Sequence, residues 1–165
     1  MKHFISRRNF LKAAGVTAAA SAMAAAVPQA SAGFLTGKDA AVTILYTNDV
    51  HTYIDNKSPK LTYAAIAAMK QGYVDEGKPV LLVDAGDHIQ GTAYGSMDDG
   101  ATIIELMNEA GYDIATLGNH EFDYGMARTK AIIKEADFPY VSCNWVDLRT
   151  GLRVLPAVKL FPAGG

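Results

Sequence analysis

Cysteine and tryptophan each occur once in this chain, histidine occurs four times, and basic charge is not in excess. A single thiol, Cys143, excludes an internal disulfide framework. Its setting, Tyr140-Val141-Ser142-Cys143-Asn144, reads as a strand end carrying a buried, inert thiol. The 15 Lys and Arg residues stand against 17 Asp and Glu, a net charge of −2, which argues against nucleic acid or an anionic membrane surface as partner. There is no long, strongly apolar run either. The stretch 13–27 is mostly Ala with Ser, Thr and Gly, whereas a spanning helix needs roughly 20 strongly apolar residues. No stable membrane anchor is therefore expected. The histidines are His3, His51, His88 and His120, and none follows His120.

Ser6-Arg7-Arg8-Asn9-Phe10-Leu11-Lys12 resembles the twin-arginine export signal. An Ala-rich segment follows, and Ala30-Ser31-Ala32 offers a small-x-small cleavage site. Residues 1–32 are expected to be a signal peptide whose partner is the twin-arginine translocation machinery. The mature chain, 33–165, would reside in a periplasm or at the cell-wall exterior. Loss of Lys2, Arg7, Arg8 and Lys12 leaves 11 basic residues against 17 acidic ones, a net −6. Attraction for an anionic substrate must then come from a local site, and bound cations would supply it.

The mature part alternates strand and helix patterns. Apolar, β-branched runs at 42–46, 79–83 and 114–117 read as strands, the second with the continuous pattern of a sheet buried on both faces. Helices are predicted over 60–76, with Leu61, Ala65, Ala68 and Met69 on one face, over 100–110 with Ile103, Ile104 and Met107 inward and Gly111 as cap, and over 126–136 with Ile132 and Ile133 inward. Further strands are predicted at 138–142 and 154–161. This order argues for an α/β fold with a mainly parallel sheet. No internal repeat and no interdomain linker interrupts it. The segment 161–165 reads as a turn toward a partner strand that does not follow.

Three short islands, each at the end of a predicted strand, carry the chemistry. In Asn48-Asp49-Val50-His51, an extended backbone would point Asp49 and His51 to the same side, toward one ion. In Asp84-Ala85-Gly86-Asp87, Asp87 follows a tight glycine turn, and its carboxylate can bridge two cations roughly 3.5–4 Å apart. Asp84 reads equally well as a turn residue or as a partner that orients a ligand. In Gly118-Asn119-His120-Glu121, Asn119 can give an amide oxygen to a second ion without adding charge. His120 suits charge stabilisation and leaving-group protonation, with Asp123 placed to orient it and favour its protonated form. A solvated Asp and a surface His would explain the first island alone; the three together are harder to explain that way.

In that order the islands resemble the calcineurin-like metallophosphoesterase superfamily. The fuller phrases Tyr46-Thr47-Asn48-Asp49-Val50-His51, Asp84-Ala85-Gly86-Asp87-His88-Ile89-Gln90-Gly91 and Leu117-Gly118-Asn119-His120-Glu121-Phe122-Asp123-Tyr124-Gly125 are similar to the exported 5′-nucleotidases, a family that includes the UDP-sugar hydrolases. The resemblance covers essentially all of the mature chain. It implies a four-layer α/β/β/α catalytic domain, followed by a nucleotide-binding domain, and two divalent metal ions (Mn, Zn, Fe or Mg). It assigns Asp49 and His51 to one metal, Asp87 to the bridge, Asn119 to the other metal, and His120 with Asp123 to transition-state stabilisation. It also implies in-line attack on phosphorus by a metal-activated water.

The family's later His-containing ligand motifs and its C-terminal domain do not follow within these 165 residues. The expectation is a first half of the catalytic domain, with little or no activity alone. The leading reading is hydrolysis of 5′-nucleotides; its rivals are a related hydrolysis of UDP-sugars, cyclic nucleotides or thiosulfonates, and a remnant that binds metal or a partner without turnover. His88 reads as non-catalytic, Glu121 as a locally bonded residue without a catalytic role, and Tyr53, Tyr94 and Tyr124 as packing or loop residues.

Overall fold

The computed structural model describes residues 42–54 and 62–161. The expected signal at 1–32, Leu61 and the terminal turn at 162–165 lie outside them. In chain order the elements are β1 (Thr43–Thr47), α1 (Tyr63–Asp75), β2 (Val80–Asp84), α2 (Ala93–Ser96), α3 (Ala101–Ala110), β3 (Ile114–Ala115), a 3-10 turn (His120–Phe122) and α4 (Met126–Glu135).

The strands form one parallel sheet in the order β1-β2-β3, as the β-α-β alternation requires. Ile44 pairs with Leu81, Tyr46 with Val83, Thr47 with Asp84, and Asp84 with Ala115. The parallel order brings all three carboxyl ends to one edge. Leu82, Ile103, Ile104, Met107 and Ile132 are buried on the helical side, at 1 % exposure or less. Each contributes about 1.5–3 kcal/mol through burial. The other face is open: Ile44 is 60 % and Tyr46 is 74 % exposed. The expectation of a sheet covered on both faces, drawn from the apolar run of β2, therefore fails among the described residues, because Leu81 and Val83 are only half-buried.

Helix α3 matches its pattern: Ile103, Ile104 and Met107 point inward, and Gly111 closes it at φ +77, in the left-handed region that suits glycine. Helix α1 exists where predicted but is rotated. It buries Tyr63, Ile66 and Ala67, the larger side chains having taken the core face. Its first turn is capped by Thr62, whose hydroxyl accepts the Ala65 N–H at 3.2 Å. The strands expected after α4 are mostly absent. Of 138–142 only a parallel bridge between Tyr140 and Ala115 remains, no strand forms over 154–161, and an antiparallel bridge joins Val146 to Arg153 just before it. Pro139 and Pro156, which lack an N–H, interrupt these segments. Cys143 is exposed rather than buried, since the segment around it is a bend and not a strand interior.

Candidate metal centre

The ligand islands lie at the carboxyl edge of the sheet. The main-chain ladder continues beyond the strands and holds the first two loops side by side: Ala85 N donates to Thr47 O (2.8 Å), Asp49 N to Gly86 O (3.1 Å) and His51 N to Asp87 O (3.0 Å). Asp49 and His51 are not extended, however. Their φ values are +53 and +47, followed by Thr52 at +56, and Asp87 has φ +57. Non-glycine residues in this region carry strain of the kind that collects at functional sites. The expected proximity of Asp49 and His51 holds, with Asp49 Oδ1 at 3.6 Å from His51 Nε2, but it arises from a left-handed coil rather than from strand alternation. Asn48 Nδ2 donates to the other oxygen of Asp49.

The loops after β2 and β3 touch. A Cβ on Gly86, which has φ +104, would lie 2.4 Å from Gly118 N, and one on Gly118 would lie 2.2 Å from Asp87 Oδ1. Only glycines allow this approach. It lets His120 N donate to Asp87 Oδ1 at 2.8 Å. As a result, ligating atoms of His51, Asp87 and His120 all fall within 4.8 Å of one another, with the two imidazole rings edge to face at 5.1 Å.

The donor set fits a divalent cation. His51 Nδ1 lies 3.1 Å from the Gln90 carbonyl oxygen. A carbonyl can only accept, so Nδ1 carries a proton and Nε2 faces Asp49. Metal-binding imidazoles are held in this way. His120 Nδ1 donates to Asp123 Oδ2 at 2.7 Å, and this bond raises the His120 pKa; desolvation opposes it, and the charges of Asp123, Asp87 and Glu121 add to the rise. A protonated imidazole is a donor and not a ligand, so the raised pKa favours the donor role expected for His120 over ligation. Asn119 is exposed and borders a cleft of about 420 Å³ with Phe122, Ser142, Asn144 and Trp145.

Two buried ionisable residues, His88 and Glu121, lie beside the cluster. His88 is fully buried and turns away from the cluster, pairing through Nδ1 with Asp84 Oδ1 (2.7 Å) and through Nε2 with the Tyr140 hydroxyl (2.8 Å). Burial pulls its pKa down, but the Asp84 bond and the charges of Glu121, Asp84 and Asp87 outweigh this and raise it. It is structural, as expected. Asp84 also accepts Gly86 N at 2.8 Å and Thr47 Oγ1 at 2.5 Å; this is the turn role weighed for it, and none of these partners is an expected metal ligand. Glu121 was underestimated: it is 1 % exposed and bonds to backbone 32–34 residues away as well as nearby. An acid beside His120 in the third island was the available signal, but sequence spacing cannot reveal partners on another loop.

Carboxylate and imidazole groups gathered at the carboxyl ends of parallel strands make an α/β protein with a candidate cation site. Residues 42–165 match the calcineurin-like phosphoesterase family, and the chain belongs to it. Residues 5–27 match the TAT (twin-arginine translocation) pathway signal sequence, which marks the protein for export. Among the described residues, no helix is long and apolar enough to cross a membrane.

The snake venom 5′-nucleotidase of Gloydius brevicauda is 40 % identical over 114 residues, covering 62 % of this chain and 19 % of that protein. The human 5′-nucleotidase is 37 % identical over 115 residues, covering 62 % of this chain and 20 % of that protein. The structure of the calcineurin-like phosphoesterase YfkN from Bacillus subtilis superposes with a TM-score of 0.60 at 34 % identity, over 70 % of this chain and 40 % of that one. The chain thus spans about a fifth of the length of these two curated relatives.

Proposed function

We propose that the protein hydrolyses 5′-nucleotides, releasing a nucleoside and inorganic phosphate, at a centre in which Asp49 and His51 hold one divalent cation, Asp87 bridges, and Asn119 serves a second. The observation that carries this reading is the convergence of His51, Asp87 and His120 within 4.8 Å, in a chain whose relatives bear 5′-nucleotidase names. Divalent cations there supply positive charge for phosphoryl oxygens and lower the pKa of water. The chain's own groups do the rest. His51 is fixed in its ligating tautomer by Gln90. Asp123 keeps a proton on His120, whose Nε2 can donate to charge developing on the leaving oxygen. Residues 1–32 act as the removable signal.

A second reading, cation binding without turnover, draws on the same donor count. Asp49, His51, Asp87 and Asn119 are few ligands for two ions that prefer six-coordinate shells. Incubation of the full chain with Mn²⁺ and adenosine 5′-monophosphate, followed by an inorganic phosphate assay, separates the two. Metal-dependent phosphate release that disappears in His51→Ala and Asp87→Asn supports the hydrolase. Mn²⁺ uptake with no phosphate release supports the second reading, and no uptake by the wild type removes both.

A further inference from the structure

The Glu121 carboxylate gathers main-chain N–H groups from two separate loops. Oε2 accepts Asp87 N at 2.8 Å and Gly118 N at 2.6 Å, while Oε1 accepts His88 N at 2.8 Å and, more weakly, Ile89 N at 3.4 Å. The clasp is reciprocal, because the loop carrying Glu121 sends His120 N back to Asp87 Oδ1. Behind it, the buried Thr129 hydroxyl on α4 donates to the Glu121 carbonyl at 2.7 Å, so the acid is anchored to a helix. Asp87, held at φ +57, is a non-glycine residue in a left-handed conformation. Such a conformation persists only where its surroundings over-determine it, and the Glu121 bond to its N–H is one such constraint.

We propose that Glu121 is a positioning residue of the metal centre: its two oxygens set the spacing between Asp87 and the Asn119–His120 pair before any cation binds. This rests on the metal-centre reading above. Four N–H donors on two oxygens leave no room for an amide. In Glu121→Gln, either orientation of the side chain places an NH₂ against two donors. The substitution preserves shape and volume while removing the acceptor pair, together with a charge that also acts on His88 and His120.

The test is Mn²⁺ binding by the full chain, read from the electron paramagnetic resonance of free Mn²⁺, for wild type, Glu121→Gln and the core control Ile104→Val on α3. Glu121→Gln is expected to weaken Mn²⁺ binding about ten- to a hundredfold, as loss of a ligand-orienting partner does. Ile104→Val, which lowers stability by removing a core methyl without changing charge or hydrogen bonding, is expected to keep wild-type affinity. Equal affinity in Glu121→Gln and wild type overturns the proposal and leaves the metal centre standing. Failure of the wild type to bind Mn²⁺ removes the metal centre and the proposal with it. Should Glu121→Gln not fold, amide exchange of the metal-free wild type decides. Protection at Asp87 and Gly118 without metal is expected; protection that emerges only with Mn²⁺ would show that the cation sets the loops, and overturns the proposal.

Discussion

Asp123 Oδ2 lies 2.7 Å from His120 Nδ1, one turn further along the chain, and this contact is the main cause of the raised pKa of the imidazole. The pairing makes His120 a proton holder at the edge of the ligand cluster. Its folded-state pKa exceeds the ordinary value of about 6.5, so the associated stabilisation is present below that value and is lost as pH rises through the folded pKa. In Asp123→Asn the His120 midpoint should move down. Proton NMR titration of the metal-free chain measures it, and an unchanged midpoint would show that the pair does not control the proton.

Gly118 leaves no space for a side chain beside Asp87. Gly118→Ala must push the Asp87 carboxylate or the loop aside. A stability loss of about 1–3 kcal/mol is expected from the overpacking, together with weakened Mn²⁺ binding. Chemical denaturation and metal titration of the variant report the two effects separately. Unaltered metal affinity would mean that Asp87 is free to relocate.

His88 links Asp84 to Tyr140 beneath the cluster, with no exposure of its own. Replacing it by Leu removes one of the partners of the buried Asp84 carboxylate and takes the Nε2 partner from the Tyr140 hydroxyl, and should cost about 3 kcal/mol. Because the folded pKa of His88 is raised, its contribution is present below about pH 6.5 and declines as pH rises through the folded value. Urea unfolding at acid and alkaline pH should show the deficit of His88→Leu shrinking on the alkaline side. A deficit independent of pH would mean that the imidazole stays neutral.

If the loops hold a cation, chelation should lower the melting temperature. A ligand at a hundred times its Kd stabilises the folded state by about 2.7 kcal/mol. Thermal melts with Mn²⁺ and with excess chelator should differ in wild type and converge in Asp87→Asn. Identical wild-type curves under both conditions would count against the centre.

Sequence alone determined the parallel α/β order, because each strand and helix carries its own apolar period. It also brought the three candidate islands to one edge, because Asp49, His51, Asp87, Asn119 and His120 all follow strand patterns and parallel strands end on one edge. Tertiary structure decided what those local patterns do not encode. Helix α1 turned to bury Tyr63 and Ile66, since packing against neighbours and not position in the repeat chooses the core face. Asp49 and His51 came together through positive φ values, which neighbouring loops impose. Glu121 acquired its partners on another loop, since a buried carboxylate must find donors wherever the fold brings N–H groups to it.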